Sequence, residues 1–174
     1  LGINFFHDGV SKKSLESIVK QAKLGVRGLR ARKHGLGNLP VKVDLKLLES
    51  LIRPILTYCG VVFCFDSLEQ LEICYLGLLK NLLGVRASTN NCAVYKELGL
   101  VPLECFLKKQ AVKYWVSPIK GRQDKLSLLT FRLLERVKGE KSLNWALSLK
   151  TMMSELGYTE VYDNPENFLF RENV

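Results

Sequence analysis

The stretch NNCAVYKELGLVPLECFLKKQAVKYW, residues 90–115, restricts the fold more than any other part of the sequence. Ala93, Val94, Tyr95 and Leu98 have the spacing of a short helix, for which Ser88 or Thr89 is the expected cap. Gly99 stops that helix in the left-handed conformation that glycine adopts without penalty. Pro102 then suits the first turn of a new helix, where its missing N–H costs nothing. In this second helix Leu103, Phe106, Leu107, Ala111 and Tyr114 share one face, Lys108, Lys109 and Lys113 take the opposite side, and Pro118 ends the run. Helices joined this tightly pack as neighbours, so the turn fixes where the lysine face points.

The same punctuation recurs along the chain. Ser11 is the expected cap of a helix running to about Arg32, with Leu15, Ile18, Val19, Ala22, Val26 and Leu29 on its buried face. Lys13, Lys20, Lys23, Arg27 and Arg30 form a second stripe about a third of a turn away. Arg32, Lys33 and His34 lead into the loop KHGLGNLP. Asp44 caps the next helix, in which Pro54 is expected to introduce a kink or a split. Ser67 and Gln70 form a capping-box pattern ahead of a helix that buries Leu71, Cys74, Tyr75, Leu78, Leu79 and Leu82 and ends at Gly84. Two further helices follow, from Asp124 to about Lys138 and from Ser142 to Leu156. The second turns Trp145, Leu149, Met152, Met153 and Leu156 inward, with Gly157 as its stop and a turn-rich aromatic tail beyond. The pattern predicts an all-α multi-helix bundle of about six to seven helices; the apolar run LGINFF at residues 1–6 allows one short N-terminal strand. Gly121-Arg122 is the expected boundary between an N-terminal body, residues 11–120, and a C-terminal helical extension, residues 121–174.

Charge separates the faces further. The net charge is +9 over 174 residues. Residues 1–50 hold ten Lys/Arg against four Asp/Glu, and residues 101–150 hold eleven against four. Between them lies a neutral stretch with four of each, and residues 151–174 are acidic, one against five. Two basic blocks around an apolar middle favour a polyanionic partner, nucleic acid before membrane. A solvated helix face is the competing explanation of each lysine stripe. The apolar run from Pro54 to Phe65 is too short to span a bilayer, so no membrane is expected.

Enzyme signatures are missing. There is no G-x-S-x-G elbow, phosphate loop, G-x-G-x-x-G or H-E-x-x-H, and no adjacent carboxylate pair that would hold two magnesium ions. Five cysteines without a C-x-x-C pair, alongside His7 and His34 alone, read as free and mostly buried thiols in a reducing, intracellular setting rather than as a zinc framework. The chain by itself is therefore expected to have no catalytic residue, no metal site and no cofactor. Its only methionines are Met152 and Met153, so a translation start upstream of Leu1 is expected.

Several segments together resemble a known family. LGI at 1–3, LLESLIRPILTYCGVVF at 47–63, LLKNLLGVRASTNNCAVYKELGLVPL at 78–103 and KYW at 113–115 are similar to the region after the catalytic core in reverse transcriptases of LINE-type non-LTR retrotransposons. NWALSLKTMMSELGYTEVY at 144–162 resembles the segment further downstream in those polyproteins. Asn90 departs from the pattern, which often has proline there. The resemblance implies that residues 1–10 end the palm beside the primer grip, that residues 11 to about 98 form the helical thumb, and that later helices connect towards the C-terminus. It implies an RNA-directed DNA polymerase as parent and an RNA–DNA or DNA duplex as partner, with the upstream palm of the same polyprotein packed alongside. On this reading Lys20, Lys23, Arg27, Arg30, Arg32 and Lys33, joined by Lys108, Lys109 and Lys113, hold the duplex backbone without catalysing anything, in the cytoplasm or the nucleus. The alternative is a retroelement remnant that serves as a helical protein-interaction module.

Overall fold

The computed structural model describes residues 12–33, 39–66, 68–119, 126–136 and 144–163, and every regular element among them is helical. The LGINFF segment, the caps expected at Ser11 and Ser67, and the Gly121-Arg122 boundary lie outside the described residues. Two compact units divide the chain, Leu1–Leu107 and Lys108–Val174. The elements are α1 (Lys12–Lys33), α2 (Val41–Leu47), a π-helical turn (Leu48–Ile52), α3 (Arg53–Leu56), α4 (Gly60–Phe63), α5 (Glu69–Leu83), α6 (Asn91–Leu98), α7 (Leu103–Ile119), α8 (Leu126–Arg136), α9 (Trp145–Glu155) and α10 (Thr159–Asp163). That is more pieces than the six to seven expected, because one long helical pattern is cut into short segments and the tail adds α10.

The first unit is built around α5. Leu71, Tyr75 and Leu79 on α5 are almost fully buried, as are Ile52 and Leu56, and α1 contributes Leu15, Ile18 and Ala22. α1 packs against both α3 and α5. Gly25 explains part of this closeness: a Cβ there would stand 3.1 Å from Ile52 Cδ1 and 3.3 Å from Ile55 Cδ1. Gly28, three residues on, has nothing within 4 Å and serves no such contact.

Pro54 does not end its helix; the irregularity lies just before it, in a π-helical turn. Proline at position 54 cannot donate to the Ser50 carbonyl, and its ring would crowd that oxygen in a regular α-turn. The wide π turn immediately before it, Leu48–Ile52, lets the helix run through the proline to Leu56. The break comes later, at Thr57–Cys59, where Cys59 has φ 51°. At the next residue, Gly60, a Cβ would overlap Cδ2 of the buried Leu107, so any larger residue there would force that side chain to shift. Asp44 does not cap α2; Pro40 holds that position, and Asp44 sits in the first turn, where a carboxylate favours the positive end of the helix.

Three helix ends share one solution. Gly84, Gly99 and Gly157 have φ of 67°, 64° and 79°. In each, the next residue's N–H closes back on the helix: Val85 to Lys80 O at 3.1 Å, Leu100 to Tyr95 O at 2.9 Å and Tyr158 to Met153 O at 2.8 Å. These are Schellman turns, and they satisfy carbonyls that the helix would otherwise leave open. α6 begins at Asn90, not at Ser88 or Thr89; the Asn90 Oδ1 accepts the Cys92 N–H at 2.8 Å. Asn90 is thus a sound cap in its own right. Glu72 then ties three helices together. Its Oε1 accepts the Tyr95 hydroxyl from α6, and its Oε2 accepts the Glu104 N–H at the start of α7, 3.3 Å away.

In the second unit, α8 and α10 both pack on α9. Ala146, Leu149, Met152 and Met153 form the inner face of α9, while Leu156, expected inside, is 61% exposed because the glycine turn begins there. Asn144 links two helices: its Oδ1 accepts the Leu147 N–H at 3.2 Å and its Nδ2 donates to Leu134 O at 2.8 Å. The tail expected to be turn-rich contains α10, whose Tyr162 is buried and donates to Glu135 Oε1 at 2.7 Å. Of the cysteines, Cys64 alone is buried; Cys59, Cys92 and Cys105 are exposed and Cys74 is half-buried, all as free thiols. The expectation of mostly buried thiols fails because Cys92 and Cys105 lie on outward turns and Cys59 on the exposed reversal.

Candidate nucleic-acid interface

α1 supplies an extended cationic edge. It is a continuous helix of 22 residues, about 33 Å long at 1.5 Å per residue. Leu15, Ile18 and Ala22 anchor its inner face, which turns Lys20, Lys23 and Arg27 to solvent. None of the three forms an ion pair among the described residues. Glu16 is exposed one turn ahead of Lys20, so the wholly cationic run begins at Lys20. Lys23 lies close enough to α5 to act on Cys74: burial pushes that thiol up, and the Lys23 ammonium pulls it back. Arg30, Arg32 and Lys33 continue the same helix, which carries through Lys33, so Arg32 and Lys33 belong to α1 and not to a loop. The side chains of Arg30, Arg32 and Lys33 lie outside the described set.

The α7 lysines separate into two kinds. Lys109 and Lys113 are exposed, one turn apart, and form no ion pair among the described residues. Lys108 is half-buried. The reason is its register: Lys108 stands two turns before Trp115, on the line that enters the core, and not opposite it. The aromatic pair resolves in the same way. Trp115 is 4% exposed and stacks on Tyr162 with centroids 5.2 Å apart, whereas Tyr114, expected on the inner face, is 56% exposed. All three α7 lysines belong to the second unit and the α1 stripe to the first.

Other charges near the core are committed to structure. Arg53 pairs with Glu49 at 2.6 Å and lies over the Phe106 ring, 4.0 Å from its centroid. Burial is the main reason that Tyr75, Tyr95 and Tyr162 are all harder to ionise than a free tyrosine. Tyr75 is pushed up to about 12. Tyr95 and Tyr162 go higher still, since their hydroxyls are also held by Glu72 and Glu135. Lys42 and Lys46, exposed one turn apart on α2, are further cations in the first unit. Their four-residue spacing, that of one helix face, is legible in the sequence.

No group of three or more His, Cys, Asp or Glu among the described residues is placed to hold a metal ion. No helix among them is long and apolar enough to cross a membrane. Comparison with protein-family models, with curated proteins and with solved structures found no match in any of the three.

Proposed function

We propose that this chain is a non-catalytic module that holds a nucleic-acid duplex through its backbone, as the thumb and post-thumb region of a LINE-type reverse transcriptase would. The observation that carries the proposal is the α1 edge: Lys20, Lys23 and Arg27 are exposed, unpaired among the described residues, and set on a helix whose other face is locked into the core. Each cation that meets a phosphate releases condensed counterions, so binding is electrostatic and indifferent to sequence. A helix of this length offers several such contacts without adjusting its shape. Chemistry then belongs to an upstream palm of the same polyprotein, and the setting is intracellular.

The test is a comparison of full-length chain binding to RNA–DNA hybrids of unrelated sequence, beside a Lys20→Gln/Lys23→Gln/Arg27→Gln variant. Similar affinity across sequences and a uniform loss in the variant support the proposal. Equal affinity of variant and wild type would remove α1 from the interface.

A second reading, a helical protein-interaction module, is favoured by α8. Leu126, Leu129 and Leu133 are 78%, 46% and 61% exposed at positions that follow one side of the helix. A folded chain with no duplex affinity at low salt would shift the assignment to that reading.

A further inference from the structure

We propose that the outward face of α8 docks an acidic amphipathic helix of a protein partner. Leu126, Leu129 and Leu133 meet the partner's apolar seam, while Arg132 and Arg136 meet carboxylates along one edge of it. This rests on the interaction-module reading and deepens it by naming the partner's chemistry. It does not depend on duplex holding by α1, which lies in the other unit.

α8 has two opposed faces. Phe131 is half-buried against Trp145 and Tyr162, Leu134 is half-buried beside it, and Glu135 accepts the Tyr162 hydroxyl. These three fix the side that α8 turns to its own unit. At about 100° per residue their mean direction lies about 130° round the helix from Leu126. Leu133, Leu129, Arg136 and Arg132 lie the other way round from Leu126, at about 20°, 60°, 80° and 120°. All five side chains are exposed, and no other large apolar residue among those described is as exposed as Leu126. Three leucines and two arginines thus share one arc of about 120°, centred almost opposite the packed face.

The leucine spacing, i, i+3 and i+7, makes a ridge about 10 Å long, and this is the anchor pattern with which one helix lies along another. The arginines set the sign of the partner. They stand one turn apart on one edge of the ridge, and neither forms an ion pair among the described residues. Carboxylates are their complement, and they orient the docked helix as well as attract it. A second copy of this chain does not supply them through α8, whose sole carboxylate, Glu135, is engaged by Tyr162. An anionic lipid surface has the right charge but is uniform, so it gains nothing from cations confined to one edge; exposed Thr130 takes the other.

The experiment titrates the full chain with a fluorescent synthetic helix of about three heptads, leucine at a and d and glutamate at e and g, whose glutamates keep it from pairing with itself. A second peptide carries lysine in place of glutamate, and vesicles of phosphatidylserine and phosphatidylcholine are run beside both. The acidic peptide is expected to bind and the lysine peptide is not. Leu129→Asn weakens binding about tenfold, as one leucine lost from a buried seam should. Arg132→Gln/Arg136→Gln weakens it about fivefold, the worth of two exposed ion pairs, and Arg132→Glu/Arg136→Glu transfers the preference to the lysine peptide. Circular dichroism establishes that each variant is folded. The proposal is overturned if the folded chain ignores the acidic peptide, or if Leu129→Asn binds it as tightly as wild type. Capture by the vesicles that depends on Leu129, without peptide binding, assigns the face to a lipid surface and overturns it too. Equal binding of the two peptides, lost together in Leu129→Asn, overturns the acidic partner and leaves the interaction-module reading standing.

Discussion

Tyr95→Phe removes a single oxygen from the network that joins α5, α6 and α7. The ring stays, so the 7% exposed site remains filled and no cavity opens. What is lost is the hydroxyl bond to Glu72 Oε1. A hydrogen bond to a charged group contributes about 1.5–3 kcal/mol. Glu72 is half-buried and keeps the Glu104 N–H at 3.3 Å, so water can approach the vacated oxygen and the loss falls at the low end, about 1.5 kcal/mol. For a chain of this size that is a fall in midpoint of roughly 3–6 °C. The pH dependence gives a stricter check. Tyr95 keeps its proton far more firmly in the folded state than its ordinary pKa of 10.0, first through burial and then through the Glu72 contact. Its folded pKa is raised, so the stability it contributes is complete below pH 10 and is lost as pH rises above it. The slope is about 1.4 kcal/mol per pH unit from this residue alone. Phenylalanine has no such slope, so the gap between wild type and Tyr95→Phe, measured by urea unfolding, should close near pH 11. A gap that stays constant from pH 8 to pH 11 would refute the assignment of the Tyr95–Glu72 bond as a buried, proton-retaining contact.

Other perturbations have equally definite outcomes. Trp115→Ala removes the buried partner of Tyr162 and should cost about 3–5 kcal/mol in chemical denaturation, with the loss of near-ultraviolet dichroism as its signature. Gly28→Ala has open space for its Cβ on an exposed helix and should stabilise by about 0.5–1 kcal/mol. Gly25→Ala forfeits that gain, because Ile52 and Ile55 must yield; equal melting shifts for the two variants would contradict the α1 packing. Asn90→Ala should cost about 1 kcal/mol, whereas Ser88→Ala and Thr89→Ala should change little.

The comparison of sequence with structure separates two kinds of information. Glycines before a change of pattern mark their turns unambiguously, because left-handed backbone excludes most other residues; Gly84, Gly99 and Gly157 were legible for this reason. The inner faces of α1 and α5 were legible too, since their apolar spacing persists over several turns. Registers near a helix end were not. Tyr114 and Trp115 are adjacent and both apolar enough for a core, and only the position of Tyr162, from a distant segment, decides which ring enters. Pro54 is a second case: local chemistry forbids a regular α-turn but does not reveal that a π turn just before it takes up the irregularity. For the interface, exposure of Lys20, Lys23, Arg27, Lys109 and Lys113 followed from helical spacing. The partial burial of Lys108 did not, because its heptad relation to Trp115 matters only once Trp115 is known to be inside.

The most direct test of duplex holding is the salt dependence of hybrid binding. If about five phosphates are neutralised, log affinity falls with log salt at a slope of about −4 to −5. Replacing Lys20, Lys23 and Arg27 with glutamine should flatten that slope by about 2–3 units. The same slope in both proteins, or no hybrid binding at low salt by a cooperatively folded chain, would contradict the account.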